Sequence, residues 1–261
     1  MSAAERWRHA LEAWAIPESI LAQAEESPWI HPPVLFDVPE VIAPSPSHDR
    51  AREALSQEAS VLDVGCGGGV AALALVPEVK TVIGVDHQPE MLAMFRRNAA
   101  ARSLAVQTIE GYWPDVADQA PVCDVVTAHH VVYNVGDIAP FIRALDAHAR
   151  NRVVLELPTR HPLANMDEAW RFFWGLERPS APTPDDLMEV LGEVGIAASQ
   201  QQWKGPIRAA SDLDQAAHFL RIRLCLPASR EGEVRDFVAA RPEPTERPLA
   251  TIWWDARPGF S

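Results

Sequence analysis

At 261 residues and 28.7 kDa the chain is too long for a short disulfide module, and a single domain with embellishments can fill it. Hydrophobic residues at 48% and charged residues at 23% exclude the compositional bias of a disordered chain. Lys plus Arg at 23 against Asp plus Glu at 36 leaves a formal charge of -13, which opposes attraction to nucleic-acid backbones or anionic lipid surfaces. Cys66, Cys123 and Cys225 lie far apart without CxxC spacing, so neither a zinc site nor a disulfide framework is expected, and a reducing compartment fits. The opening MSAAERWRHALEAW carries charges where a secretion signal needs an apolar core, and no later stretch has 18 uncharged apolar residues. The expectation is a soluble cytoplasmic protein.

In chain order, residues 5–25 read as helix with Trp7, Leu11 and Trp14 as apolar marks, broken at Pro17. The proline-rich stretch 27–46 favours extended and turning backbone, and helix resumes over 47–55. Residues 1–50 are therefore expected to form an N-terminal extension before a domain spanning 51–261. Segments 61–65, 81–86, 105–110, 123–129 and 152–157 are short, apolar and rich in β-branched residues, as strands covered on both faces should be. Helical stretches 68–76, 89–102 and 137–149 alternate with them, which predicts an α/β three-layer sandwich around a mostly parallel, seven-stranded sheet. Beyond Pro158 a short aromatic helix falls within 160–180. Thr183, Pro184 and Asp186 then cap a helix that ends near Leu191. A late strand over 196–203, helices over 212–225 and 229–239, and a last strand at 249–255 complete the pattern, with the last strand expected at a sheet edge.

The strongest local signal is VLDVGCGGG at 61–69, where a strand runs into a glycine loop and the following helix offers free amides. Asp86 ends the next strand, where a carboxylate can accept from the two hydroxyls of a ribose. Val70 fills the sixth position of a GxGxxG-like loop, where a small residue lets the helix of a dinucleotide-binding fold pack closely. His129 and His130 are poor metal ligands, because neighbouring strand residues point to opposite faces and no third ligand stands at a recognisable spacing. No metal site is expected. A neutral imidazole there can take a proton from a hydroxyl or amine.

Taken together, LDVGCGGG (62–69), GVDHQPEML (84–92), EGYWPDV (110–116), DVVTAHHVVYNV (124–135) and RVVLELP (152–158) resemble the cofactor half of a class I S-adenosylmethionine-dependent methyltransferase of the Rossmann-like, small-molecule type. The resemblance implies a cofactor-binding half at 60–158 and acceptor-side and C-terminal elements at 159–261. It implies that Gly65, Gly67 and the Cys66 backbone lie against the methionine and ribose parts of S-adenosylmethionine and that Asp63 supports the loop or the amino group. Asp86 is implied to hold the ribose hydroxyls and His87 to pass near the adenine. Tyr112 stands where family members commonly carry an acid for the adenine amine, so Tyr112 or Trp113 is expected to offer a ring face or edge instead. Thr127 and His129 are implied under the methionine tail, and His130, His129 and Tyr133 are the candidate catalytic groups.

Trp29, His31, Phe36, Phe173 and Trp174 supply aromatic surface for an acceptor, with the N-terminal extension as its lid. No NPPY, DPPY or Pro-Cys motif for base methylation is present, so a small-molecule acceptor with an oxygen or nitrogen nucleophile is expected, with no nucleic-acid or membrane partner. A monomer or homodimer is expected. Two other readings stay open: an NAD-dependent oxidoreductase, and a non-catalytic nucleoside-binding or scaffold protein.

Overall fold

A computed structural model of the chain describes residues 1–29, 38–207, 212–241 and 245–256. Helix α1 (Ala3–Glu12) starts at a reciprocal cap in which Ser2 accepts from the Glu5 amide and Glu5 accepts from the Ser2 amide. Helix α2 (Glu18–Leu21) follows Pro17, and α3 (Pro46–Arg52) is capped by Ser45, whose hydroxyl accepts from the His48 amide. The sheet opens with β1 (Ala59–Val64), followed by a single turn α4 (Val70–Leu73), shorter than the sequence pattern predicts. Then come β2 (Val79–Asp86), α5 (Pro89–Ala100), β3 (Ala105–Glu110), β4 (Cys123–His129), α6 (Ile138–His148) and β5 (Ala149–Pro158). The C-terminal part contributes α7 (Asp167–Trp174), α8 (Pro184–Glu193), β6 (Ser199–Pro206), α9 (Leu213–Arg223), α10 (Glu231–Ala239) and β7 (Glu246–Asp255).

The seven strands form one sheet in the order β3-β2-β1-β4-β5-β7-β6. The pairs from β3 to β5 are parallel, and β7 runs antiparallel to both its neighbours. The last strand is therefore not the sheet edge expected of residues 249–255. It lies between β5 and β6, with Trp253 opposite Val154 on one side and Ser199 on the other. The outer place goes to the glutamine-rich β6, a polar strand suited to solvent on an open edge.

Strand alternation assigns the two faces. Leu62, Ile83, Val126, Leu155 and Ile252 pack with α1, α6 and α8, whereas Val61, Val82, Val125 and Val154 pack with α3, α4 and α5. Helix α1 is thus a wall of the main core rather than an outlying piece. Trp7 is 1% exposed, lies stacked on Tyr133 with ring centroids 5.7 Å apart, and donates its indole N–H to the Val135 carbonyl at 2.9 Å. Trp7→Ala is expected to cost about 3–5 kcal/mol of stability through the cavity and the orphaned carbonyl. Urea unfolding checks this, and a loss below about 1 kcal/mol contradicts the placement.

A third cluster is built from α7, α9 and α10 together with Ile16 and Ile20. The chain enters these helices from the C-terminal ends of β5 and β6 and returns from them into β7, so they form a cap at the end of the sheet where β1, β2 and β4 also finish. Arg221 of α9 ties the N-terminal segment to that cap, donating to Glu26 at 2.5 Å and to Glu231 at 2.9 Å. Among the described residues no helix is long and apolar enough to cross a membrane.

Candidate active site

Parallel strands present their C-terminal ends together, and crevices form where neighbouring connections leave in opposite directions. Here that point lies between β1 and β4: from β1 the sheet continues to β2 and β3, and from β4 to β5. The glycine loop after β1 is held down by β2, since the amides of Gly65 and Cys66 both donate to the Val85 carbonyl, at 2.8 and 3.0 Å. Gly65 has φ +68°, and a Cβ there would sit 2.5 Å from Val131 Cγ2. Only glycine therefore lets the segment after β4 close against the loop after β1.

Asp86 finishes β2 beside this loop. Its carboxylate accepts from the Gly67 amide at 3.0 Å and from the Gln88 amide at 3.0 Å, so it is fixed at the mouth of the crevice. His87 and Tyr112 stack next to it, with centroids 4.6 Å apart and an interplanar angle of 18°. Tyr112 is 65% exposed, so the pair presents an open aromatic surface one strand away from the carboxylate. A carboxylate anchor, a glycine loop with no side chain to block close approach and a flanking π surface are features that suit a nucleoside.

Asp63 lies in β1 just before the glycine loop. It is buried, accepts from Thr127 Oγ at 3.0 Å and from the Ala72 amide at 3.4 Å, and so ties β1 to β4 and α4. Burial pushes its carboxyl up to about 7, against the pull of those two hydrogen bonds. Thr127 is fully buried and spends its hydroxyl on Asp63, so it acts on a ligand only through that acid. Burial also raises the Cys66 thiol, which leaves it without nucleophilic character.

Two aromatic expectations are corrected. Trp113 is turned into the core beneath α6, its indole N–H directed at the Phe141 carbonyl at 3.4 Å and its ring edge-on to His148, so Tyr112 alone offers the exposed ring. Tyr133 is no catalytic group. Its hydroxyl donates to the Pro158 carbonyl at 2.9 Å, and its ring is buried between Trp7 and His161, which raises the phenol far above its ordinary value. In both cases burying a large ring outweighs presenting it to a crevice.

The adjacent histidines diverge. His129 closes β4 with its ring stacked on His48 of α3 at 5.9 Å, and its Nε2 is buried without a hydrogen-bond partner. Burial lowers its pKa to about 4. His130 leaves the strand with φ +61°, unusual for a residue with a Cβ, and its side chain is 38% exposed. Its Nε2 lies 3.1 Å from Glu156 Oε1 and its amide donates to the Glu156 carbonyl at 2.6 Å. Burial alone would raise Glu156, but the imidazoles of His129 and His130 and the hydrogen bonds from His130 and Ser47 hold its carboxyl well below the usual range. Glu156, His48 and Arg247 were not singled out from the sequence. The available signal was one acid inside the apolar run RVVLELP.

His129 gives a pH dependence with a definite sign. Between pH 6.5 and about 4 the unfolded imidazole binds a proton and the folded one does not, so its contribution to stability falls as the pH falls. Asp63, pushed up, works in the opposite sense over the same range, so the share of His129 is read as a difference. Relative to His129→Gln, the parent chain is expected to lose stability on acidification from neutral pH to about 4. Parallel stability curves in urea contradict a buried neutral His129.

Of the acceptor candidates, Phe173 and Trp174 belong to the cap's own core. Phe173 packs on Phe172 and Phe237, and Trp174 donates to the Leu224 carbonyl at 2.7 Å. They are corrected from acceptor-lining to cap-building residues, because their apolar area is spent on α9 and α10. Trp29 is half exposed, and His31 and Phe36 lie outside the described residues.

Residues 61–151 match the family model described as a methyltransferase domain. An uncharacterised protein of Haemophilus influenzae is 33% identical over 143 residues, 54% of this chain and 52% of its own length. A ubiquinone biosynthesis O-methyltransferase of Azorhizobium caulinodans is 30% identical over 114 residues, 44% of this chain and 45% of that protein. The chain thus spans about half the length of these curated relatives. In fold it is similar to the YcgJ protein of Bacillus subtilis, with a TM-score of 0.56 and 20% identity across 82% of this chain and 99% of that one.

Proposed function

We propose that the chain is a class I S-adenosylmethionine-dependent methyltransferase, a reading supported by the match of residues 61–151 to a methyltransferase-domain model, and that it moves a methyl group from S-adenosylmethionine to an oxygen or nitrogen of a small-molecule acceptor. The observation that carries the reading is the Asp86 carboxylate, pinned beside the Gly65–Gly67 loop and flanked by the His87–Tyr112 stack. Asp86 holds the ribose hydroxyls, the side-chain-free backbone at Gly65 and Gly67 lets the methionine part approach closely, and the stacked pair borders the adenine. When bound, S-adenosylmethionine supplies a methyl group already activated by its sulfonium. The chain then has to align a nucleophile, exclude water and, for a protonated acceptor, take up a proton.

His130 is the group for that last task, since its imidazole is partly exposed at the end of β4, one residue before the Val131 that packs against Gly65, whereas the ring of His129 is sealed against His48. The cap of α7, α9 and α10, with the N-terminal segment tied to it by Arg221, stands at the same end of the sheet and shapes the acceptor side. A relative named for O-methylation in ubiquinone biosynthesis and the charge of -13 both favour a small acceptor over nucleic acid. The buried free thiols Cys66, Cys123 and Cys225 go with a reducing, cytoplasmic setting.

Calorimetric titration with S-adenosylhomocysteine and with NAD tests this reading. Binding of the first without the second is expected, since Val70 stands where a dinucleotide fold needs a small residue. Binding of NAD alone overturns the proposal in favour of oxidoreduction.

A further inference from the structure

Glu156 is the only acid within β5, and the register of the sheet gives it its neighbours. It pairs with His129 on β4 and with Thr251 on β7, so the three side chains stand in one row on the face that α3 covers. It is 7% exposed, and a buried carboxylate persists only where hydrogen bonds and opposite charge replace its water. Ser45 donates to Oε2 at 3.5 Å, and His130 Nε2 lies 3.1 Å from Oε1. The backbone repeats the link, because the His130 amide donates to the carbonyl of the same residue. One glutamate thus grips His130 at both its ring and its main chain, and the left-handed φ of His130 brings the ring around to meet it. The groups facing this carboxylate from the surrounding elements are Ser45 before α3, Ser47 and His48 on it, His129 and His130 at the end of β4, and Arg247 on β7.

We propose that Glu156 is the positioning residue of the methyl-transfer site: it accepts the Nε2–H of His130, holds the ring so that Nδ1 meets the acceptor, and thereby selects acceptors whose nucleophile has a proton to give, as a phenol hydroxyl does, over ionised carboxylates. This rests on the reading of the chain as a methyltransferase and adds to it a residue role and an acceptor class. In the step it serves, the hydroxyl proton passes to Nδ1 and the oxygen electron pair forms the bond to the methyl carbon. The carbon–sulfur electron pair stays on sulfur, which becomes a neutral thioether. The imidazolium left behind faces the Glu156 carboxylate until the proton leaves through the exposed side of the ring. A carboxylate acceptor, already ionised, has no proton to give and gains nothing from such a pair.

The test uses the full chain with S-adenosylhomocysteine bound and reads the ring nitrogens of His130 by 15N-resolved NMR. The expected spectrum has an Nε2–H proton protected from exchange with water and an unprotonated Nδ1. Glu156→Leu should lose that protected proton to solvent exchange, and Glu156→Gln, which keeps an acceptor oxygen, should retain it. A glutamate that merely supports the fold would instead leave the His130 signal unmoved in Glu156→Leu while lowering the melting temperature and the affinity for S-adenosylhomocysteine, and that result overturns the proposal. So does a proton on Nδ1 in the parent. Phenol added in excess should shift the Nδ1 resonance and sodium benzoate should not; the reverse pattern, or no shift with phenol, overturns the acceptor class. Failure of the parent to bind S-adenosylhomocysteine at all is a separate result, which counts against the methyltransferase reading itself.

Discussion

Replacing Asp86 with alanine is expected to weaken S-adenosylhomocysteine binding by roughly 30- to 150-fold, equivalent to about 2–3 kcal/mol. Two losses combine. The ribose hydroxyls lose a charged acceptor, and the Gly67 and Gln88 amides lose the carboxylate that fixes the loop in place. Asp86→Asn keeps an acceptor oxygen and should fall between parent and alanine variant. Calorimetry reads the affinity directly, with a thermal melt to show that the variant stays folded. Affinity within about twofold of the parent, in a folded variant, removes Asp86 from the ribose.

His130→Ala carries the second large effect, with the opposite emphasis. Loss of a positioned base is expected to lower kcat for a hydroxyl acceptor by about a hundred- to ten-thousandfold and to leave S-adenosylhomocysteine affinity within about twofold. The split follows from position: the ring lies at the end of β4 with its Nε2 on Glu156, whereas the nucleoside contacts are assigned to Asp86 and the glycine loop after β1. Turnover at saturating substrates that equals the parent's would show that alignment alone suffices and that His130 takes no proton.

The strands and the cofactor loop were legible because their signals are local. Five apolar runs at short spacing, a glycine turn after the first and an acid ending the second do not depend on the rest of the chain. What failed depends on distant partners. Trp113 and Tyr133 stand beside polar loops in the sequence, but α6 covers one and Trp7, far upstream, covers the other. Alternation along 249–255 shows a strand with two distinct faces and says nothing of its neighbours, so the insertion of β7 between β5 and β6 was invisible. Likewise, Phe173 and Trp174 read as free aromatic surface until α9 and α10 are packed against them. The Glu156–His130 pair lies between these cases. A single acid in an apolar strand was visible, whereas its meeting with His130 requires the parallel register of β4 and β5.

The most direct test of the central claim is a crystal structure of the chain with S-adenosylhomocysteine. Both ribose hydroxyls are expected within hydrogen-bonding distance of the Asp86 carboxylate, the adenine beside Tyr112, and the sulfur on the His130 side of the crevice. A nucleoside bound elsewhere, or one whose ribose is turned away from Asp86, contradicts that claim.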